Sequence, residues 1–93
     1  MKSLVDKLSD ELSAKYLHYI DVFLVDYCSG DGSVEFNAGF SLRLDHQLRS
    51  VSVRLPAGSC RTDIERKLFL RVAFDEIELQ IDRAIADDRV NAN

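Results

Sequence analysis

The strongest constraint on the fold is an unbroken alternation of apolar and polar or small residues between Val34 and Leu44. Successive side chains of a β-strand point to opposite faces of a sheet. The pattern therefore predicts a strand with one buried and one solvated face. The apolar positions are Val34, Phe36, Ala38, Phe40, Leu42 and Leu44.

Two further strands are expected on either side of this one. The segment 19–28 is rich in Tyr, Ile, Val and Phe and is joined to it by the glycine-containing turn 29–33. The segment 48–55 follows a turn at 45–47 and has Val51, Val53 and Leu55 on one parity. Short connections predict an antiparallel meander, with Phe40 opposite Val53.

The first strand is apolar on both parities, so two registers are open. If its odd-numbered residues face the core, Asp21 lies opposite Phe40, where an unpaired carboxylate is costly. We therefore expect Ile20, Val22, Leu24 and Cys28 to face the core. This choice leaves an apolar, largely aromatic group on the open face of the sheet, consisting of Tyr19, Phe23, Val25 and Tyr27. Arg43 and Arg54 are expected on the same face.

A helix is predicted at each end of the chain. Residues 3–17 have an apolar residue at every fourth position and Ser3 as N-cap. The last helix starts at a capping box formed by Thr62 and Glu65 and runs to about Asp87. A strand at 77–81 is the competing interpretation. We expect the core-facing stripe of the helix to be Ile64, Leu68, Val72, Ile77, Ile81, Ala84 and Ile85, widened by Phe69, Leu70, Phe74 and Leu79.

The predicted fold class is α+β, a single small domain of residues 1–93 in the order α-β-β-β-α. Both helices are expected to pack on one face of the three-stranded meander, leaving the other face open. The polar tail, about residues 89–93, is expected to fray. The N-terminus has no apolar signal segment, and we expect a cytoplasmic protein.

Charge is distributed unevenly around a net value of −4. The segment 61–71 has four basic and two acidic residues, whereas the segment 75–88 has six acidic residues and one arginine. The overall acidity disfavours binding to nucleic acid through phosphate neutralisation. The acidic residues expected to meet a partner are Asp75, Glu76, Glu78 and Asp82. A solvated helix face is the alternative interpretation of this cluster.

The element order resembles that of the double-stranded-RNA-binding domain. The likeness covers most of the chain but only as an order of elements. That family has a lysine-rich start to its last helix. Here the matching stretch, Gly58–Lys67, has two interleaved acids, which removes most of the electrostatic basis for binding RNA.

No catalytic, metal-binding or nucleotide-binding motif stands out, so we expect no enzyme activity, metal or cofactor. The sequence favours a small interaction protein with a protein partner, bound through the acidic helix and the aromatic sheet face. Its size and acidity are typical of inhibitors encoded by phages or mobile elements, including anti-CRISPR-type proteins. The alternatives are an RNA- or DNA-binding module and a structural subunit of a homo-oligomer, for example a homodimer.

Overall fold

The computed structural model describes residues 3–91. Its elements are α1 (Leu4–Lys15), β1 (Ile20–Gly30), β2 (Ser33–Leu42), β3 (Leu48–Leu55) and α2 (Asp63–Asn91). The strands form one antiparallel sheet in the order β1-β2-β3. The predicted fold class and element order are therefore confirmed.

Both predicted helix caps are present. The Ser3 hydroxyl accepts a hydrogen bond from the backbone N–H of Asp6 at 3.2 Å. The Thr62 hydroxyl accepts one from the backbone N–H of Glu65 at 3.1 Å and lies 3.0 Å from the Glu65 carboxylate. Each cap satisfies donors that the first helical turn leaves without a partner.

The last helix is a single element that extends beyond its predicted end. It runs through 77–81 without a break, so the alternative of a strand there is wrong. It reaches Asn91, and residues 92–93 of the predicted polar tail lie outside the described part of the chain.

The register predicted for β1 is wrong, and a β-bulge is the reason. Ile20 pairs with Leu42, but Val22 pairs with Ser41, so Asp21 is an extra residue in β1. The bulge leaves Asp21 exposed, with its carboxylate 3.4 Å from the imidazole of His46. The chain can thus turn its odd-numbered side chains toward the core without burying a charge.

The alternation in β3 is as predicted, but its pairing with β2 is shifted by four residues. Val53 lies opposite Phe36 and not Phe40, and Val51 lies opposite Ala38. The cause is that β2 ends at Leu42, so the connection to β3 is longer than the predicted turn.

The core lies between the sheet and the two helices. Phe36, Phe40 and Leu42 from β2 and Ile77 and Ile81 from α2 are completely buried. The ring of Phe36 meets that of Phe74 edge-on, with 5.4 Å between centroids.

The inward face of α2 differs from the prediction in its first half. Leu70, Ala73 and Phe74 are buried there, whereas three residues predicted to lie in the core are exposed. Those three are Ile64 (71% exposed), Leu68 (61%) and Val72 (68%). The packing of Phe74 on Phe36 and of Phe69 near Tyr27 fixes this rotation of the helix.

Candidate functional site

The predicted aromatic group does not lie on the open face of the sheet. Phe23, Val25 and Tyr27 are partly buried and pack against the core. Their β2 partners are Phe40, Ala38 and Phe36, whose side chains face the helices. Tyr19 lies in the turn before β1 and is 36% exposed. Phe23, Val25 and Tyr27 therefore stabilise the fold and do not form the expected contact surface.

The open face of the sheet has a different apolar group at one end. Because of the bulge, Val22 and Leu24 project there, 45% and 69% exposed, and Leu48 on β3 is 80% exposed. Between these walls lie Gly39 and Ser41 of β2, since Val22 and Leu48 both pair with Ser41 and Leu24 pairs with Gly39. A Cβ atom built on Gly39 would meet no atom within 4 Å. The result is a shallow apolar trough, which we call the sheet trough.

The other end of the open face is polar. Glu35 and Arg54 are cross-strand neighbours whose charged groups are 3.6 Å apart. Arg54 is thus on the predicted face, at the opposite end from the sheet trough. Arg43 lies in the loop after β2 and not in a strand, where its Nε donates a hydrogen bond to the carbonyl of Ile20 at 3.2 Å. Arg43 lies in a loop because β2 ends at Leu42, before its predicted end at Leu44.

A second apolar surface runs along α2 on the side away from the sheet. Ile64, Leu68, Val72 and Leu79 are 43–71% exposed and recur at spacings of four and seven residues, which places them on one side of the helix. We call this row the helix stripe. Val90, 73% exposed, continues it toward the end of α2.

The predicted acidic residues lie on or beside the helix stripe, and α1 engages two of them. Asp75 and Glu76 are exposed. Glu78 forms an ion pair with Lys15 at 3.3 Å, and Asp82 accepts a hydrogen bond from the hydroxyl of Tyr16 at 2.7 Å. The cluster therefore helps to attach α1 to α2 as well as carrying surface charge.

Tyr16 is the most perturbed group in this cluster. Its burial, followed by its hydrogen bond to Asp82 and the negative charge of that carboxylate, raises the pKa of Tyr16 well above its usual value. The tyrosine therefore stays a neutral donor to Asp82 at any physiological pH, and the contact has a structural role.

The two apolar surfaces lie on opposite sides of the molecule. The sheet trough faces away from the helices, and the helix stripe faces away from the sheet. The acidic part of α2 and the open sheet face, both predicted to bind a partner, therefore lie on different sides of the molecule. Each surface has to be considered as a separate site.

A cleft of about 550 Å³ lies between the first turns of both helices and the second half of β1. Its lining carries charge of both signs: Asp26, Asp63, Arg66 and Lys67 all contribute. Arg66 and Asp63 are already paired with each other. Because acidic and basic side chains both line the cleft, it does not favour a ligand of one particular charge.

Comparison of the chain with protein-family models, curated proteins and solved structures gave no match. Within residues 3–91, no helix has both the length and the apolar character needed to cross a membrane. The same residues contain no group of three or more His, Cys, Asp or Glu side chains that could hold a metal ion. The two exposed apolar surfaces are the features of the described residues that bear on function.

The sequence does not predict the sheet trough as a whole, but it does predict the position of one of its residues. Leu48 is on the opposite parity from Val51, so alternation alone places it on the open face. Val22 and Leu24 could not be assigned in this way, because the bulge at Asp21 changes the parity of β1.

Proposed function

We propose that this protein is a non-enzymatic interaction domain that binds a partner protein through the sheet trough. The observation that supports this most is the exposure of Val22, Leu24 and Leu48 around an unfilled glycine position. Exposed apolar groups that form one patch on a small domain are typical of a binding surface.

The form of the sheet trough indicates the chemistry of the partner. Aliphatic walls and a floor of Gly39 and Ser41 fit an apolar side chain that protrudes from a flat surface. The polar end of the same face, with Asn37, Ser52 and the Glu35–Arg54 pair, would form the hydrogen-bonding rim. An interface of this type has an apolar anchor at its centre and polar contacts around it.

The narrower form of this proposal is an inhibitor that blocks a host factor, of the kind encoded by phages and mobile elements. Its support is the small size of the chain and its net charge of −4. In this form, occupation of the sheet trough by the host factor would be the inhibitory event.

Capture from host lysate, with mass spectrometry, tests the proposal when wild type is compared with Leu24→Glu. A charge in the trough wall should remove the specific partner, because an unpaired carboxylate would be buried in the interface. Leu24 is 69% exposed, so the variant should fold normally. Ser52→Glu, on the same face but at its polar end, is the matched control and should keep the partner.

Two results would contradict the proposal. One is a protein captured equally well by wild type and by Leu24→Glu, which would place binding elsewhere. The other is capture of nucleic acid with loss of binding in high salt, which would favour the RNA- or DNA-binding alternative. The inhibitor form further requires that wild type, and not Leu24→Glu, suppress the activity of the captured factor.

A further inference from the structure

We propose that the helix stripe is the site of homodimerisation, where α2 packs antiparallel against α2 of a second copy. The stripe lies directly opposite the core-facing side of α2, so a second helix can approach it without meeting the sheet. Leu68, Val72 and Leu79 would form the centre of the contact. This inference is independent of the sheet trough.

The charges beside the stripe are complementary to themselves under a two-fold rotation. Lys67, Arg71, Glu78 and Asp82 follow one flank at spacings of four, seven and four residues, and are thus symmetric about a point between Phe74 and Asp75. An antiparallel pair centred there brings Lys67 toward Asp82 of the second copy and Arg71 toward Glu78 of the second copy. Within each copy these carboxylates also contact Tyr16 and Lys15 of α1, so the new contacts would be shared with the existing ones. Symmetry forms each of these contacts twice.

The other flank agrees with this arrangement. Glu65 and Arg83 are exposed and lie nearly symmetric about the same point, so each faces the opposite charge on the second copy. Lys67 and Arg71 form no ion pair among the described residues. Antiparallel pairing gives both of them carboxylate partners.

The size of the contact sets the expected affinity. Pairing about that point overlaps the two helices from residue 63 to residue 86, roughly 35 Å at 1.5 Å per residue, and a helix is about 10–12 Å wide. The resulting area, roughly 400 Å² per copy, is below the ~800 Å² per partner of a typical stable interface. We therefore expect a dimer that dissociates in the micromolar range, and its mass must be measured over a series of concentrations.

Asp75 is the one unfavourable residue in the arrangement. It lies seven residues after Leu68 and four before Leu79, inside the stripe and next to the symmetry axis. The two copies of Asp75 would repel each other. Asp75→Asn should therefore strengthen the dimer several-fold, the opposite of what a variant at a solvated position does.

Sedimentation velocity with reductant present tests the surface. The reductant is needed because the exposed thiol of Cys28 could cross-link two copies. Wild type should shift from monomer to dimer mass as its concentration rises. Val72→Lys should remain monomeric, and Leu24→Lys, the matched control on the sheet trough with 69% exposure against 68% for Val72, should dimerise as wild type does.

A charge exchange tests the direction of the helices. Arg71→Glu should weaken the dimer at least tenfold. Glu78→Arg should weaken it too, and it also removes the ion pair of Glu78 with Lys15 within each copy. The double variant Arg71→Glu/Glu78→Arg should dimerise more strongly than either single variant, because each new glutamate faces a new arginine across the antiparallel pair. The proposal is overturned if wild type stays monomeric at every concentration, if Leu24→Lys and not Val72→Lys abolishes the dimer, or if the double variant dimerises no more strongly than either single variant.

Discussion

Gly32 is the residue whose identity the fold constrains most. With Asp31 it forms the two-residue turn between β1 and β2, and both have positive φ, 51° for Asp31 and 74° for Gly32. The turn also meets the loop before α2, since the backbone N–H groups of Gly58 and Cys60 donate to the carbonyls of Asp31 and Gly32. A Cβ atom on Gly32 would lie 2.8 Å from the backbone nitrogen of Gly58.

We expect Gly32→Ala to destabilise the protein by roughly 1–3 kcal/mol, because it adds left-handed strain and a clash with backbone that cannot move away. Urea denaturation measures this change. Gly39→Ala is the control: its Cβ meets open space, so the unfolding free energy should stay the same or rise by up to about 1 kcal/mol. Equal losses in both variants would contradict the role of Gly32 in the turn.

Asp45 is expected to give the protein a distinct dependence on acid pH. Its carboxylate binds the guanidinium of Arg49 through two hydrogen bonds of 3.0 and 2.6 Å and accepts a third from the N–H of Gln47. The hydrogen bonds with Arg49, then that with Gln47, lower the pKa of Asp45 from 3.8 to about 2. The stabilisation is therefore complete above pH 3.8 and is lost as the pH falls toward 2.

Comparison of wild type with Asp45→Asn isolates this contribution. The wild type should be the more stable at neutral pH, and the difference in unfolding free energy should shrink between about pH 4 and pH 2. Thermal unfolding at a series of pH values measures it. A difference that stays constant across that range would show that the ion pair does not contribute.

At the scale of the element, the bulge in β1 decides which residues are core and which are surface. The predicted register keeps Asp21 out of the core, where an unpaired carboxylate would be costly. The chain achieves this differently, by removing Asp21 from the ladder between Ile20 and Val22. Neither parity nor charge reveals a bulge, which is why the sequence could predict the strand but not its faces.

The pair Phe23 and Leu24 tests the register directly, because neighbours in a strand face opposite sides. Phe23 packs 6.5 Å from the ring of Phe40, so Phe23→Ala should cost about 2–4 kcal/mol. Leu24→Ala, on the open face, should change stability by only about 0.5 kcal/mol. Chemical denaturation measures the free energy of unfolding of both variants. A larger loss for Leu24→Ala than for Phe23→Ala would support the register predicted from the sequence.

The helices show which structural features can be predicted from local sequence alone. The caps at Ser3 and Thr62 depend on local hydrogen bonds and were predicted correctly. The inward side of α2 was not, because its apolar residues cover more than one face and the choice is made by long-range packing of Phe74 on Phe36. The sequence shows that α2 has more apolar residues than one face can hold, but it does not show which of them face the core.

At the scale of the whole molecule, the positions of the candidate sites also depend on tertiary packing that the sequence does not reveal. Element order, the open sheet face and excess apolar residues on α2 were all predicted. Their placement was not, since it needed the bulge at Asp21 and the rotation of α2. The residues now proposed to bind are therefore different from the predicted aromatic group.

Because the two surfaces lie on opposite sides of the molecule, a dimer formed through one of them would have two copies of the other available for binding. If two copies join through the helix stripe, their sheets form the outer layers of the assembly and each sheet trough faces away from the other. One dimer could then hold two partner molecules at once, or bind a partner that repeats its own binding site with a marked gain in avidity. The strength of attachment would then depend on the concentration of this protein as well as on the fit of a single trough.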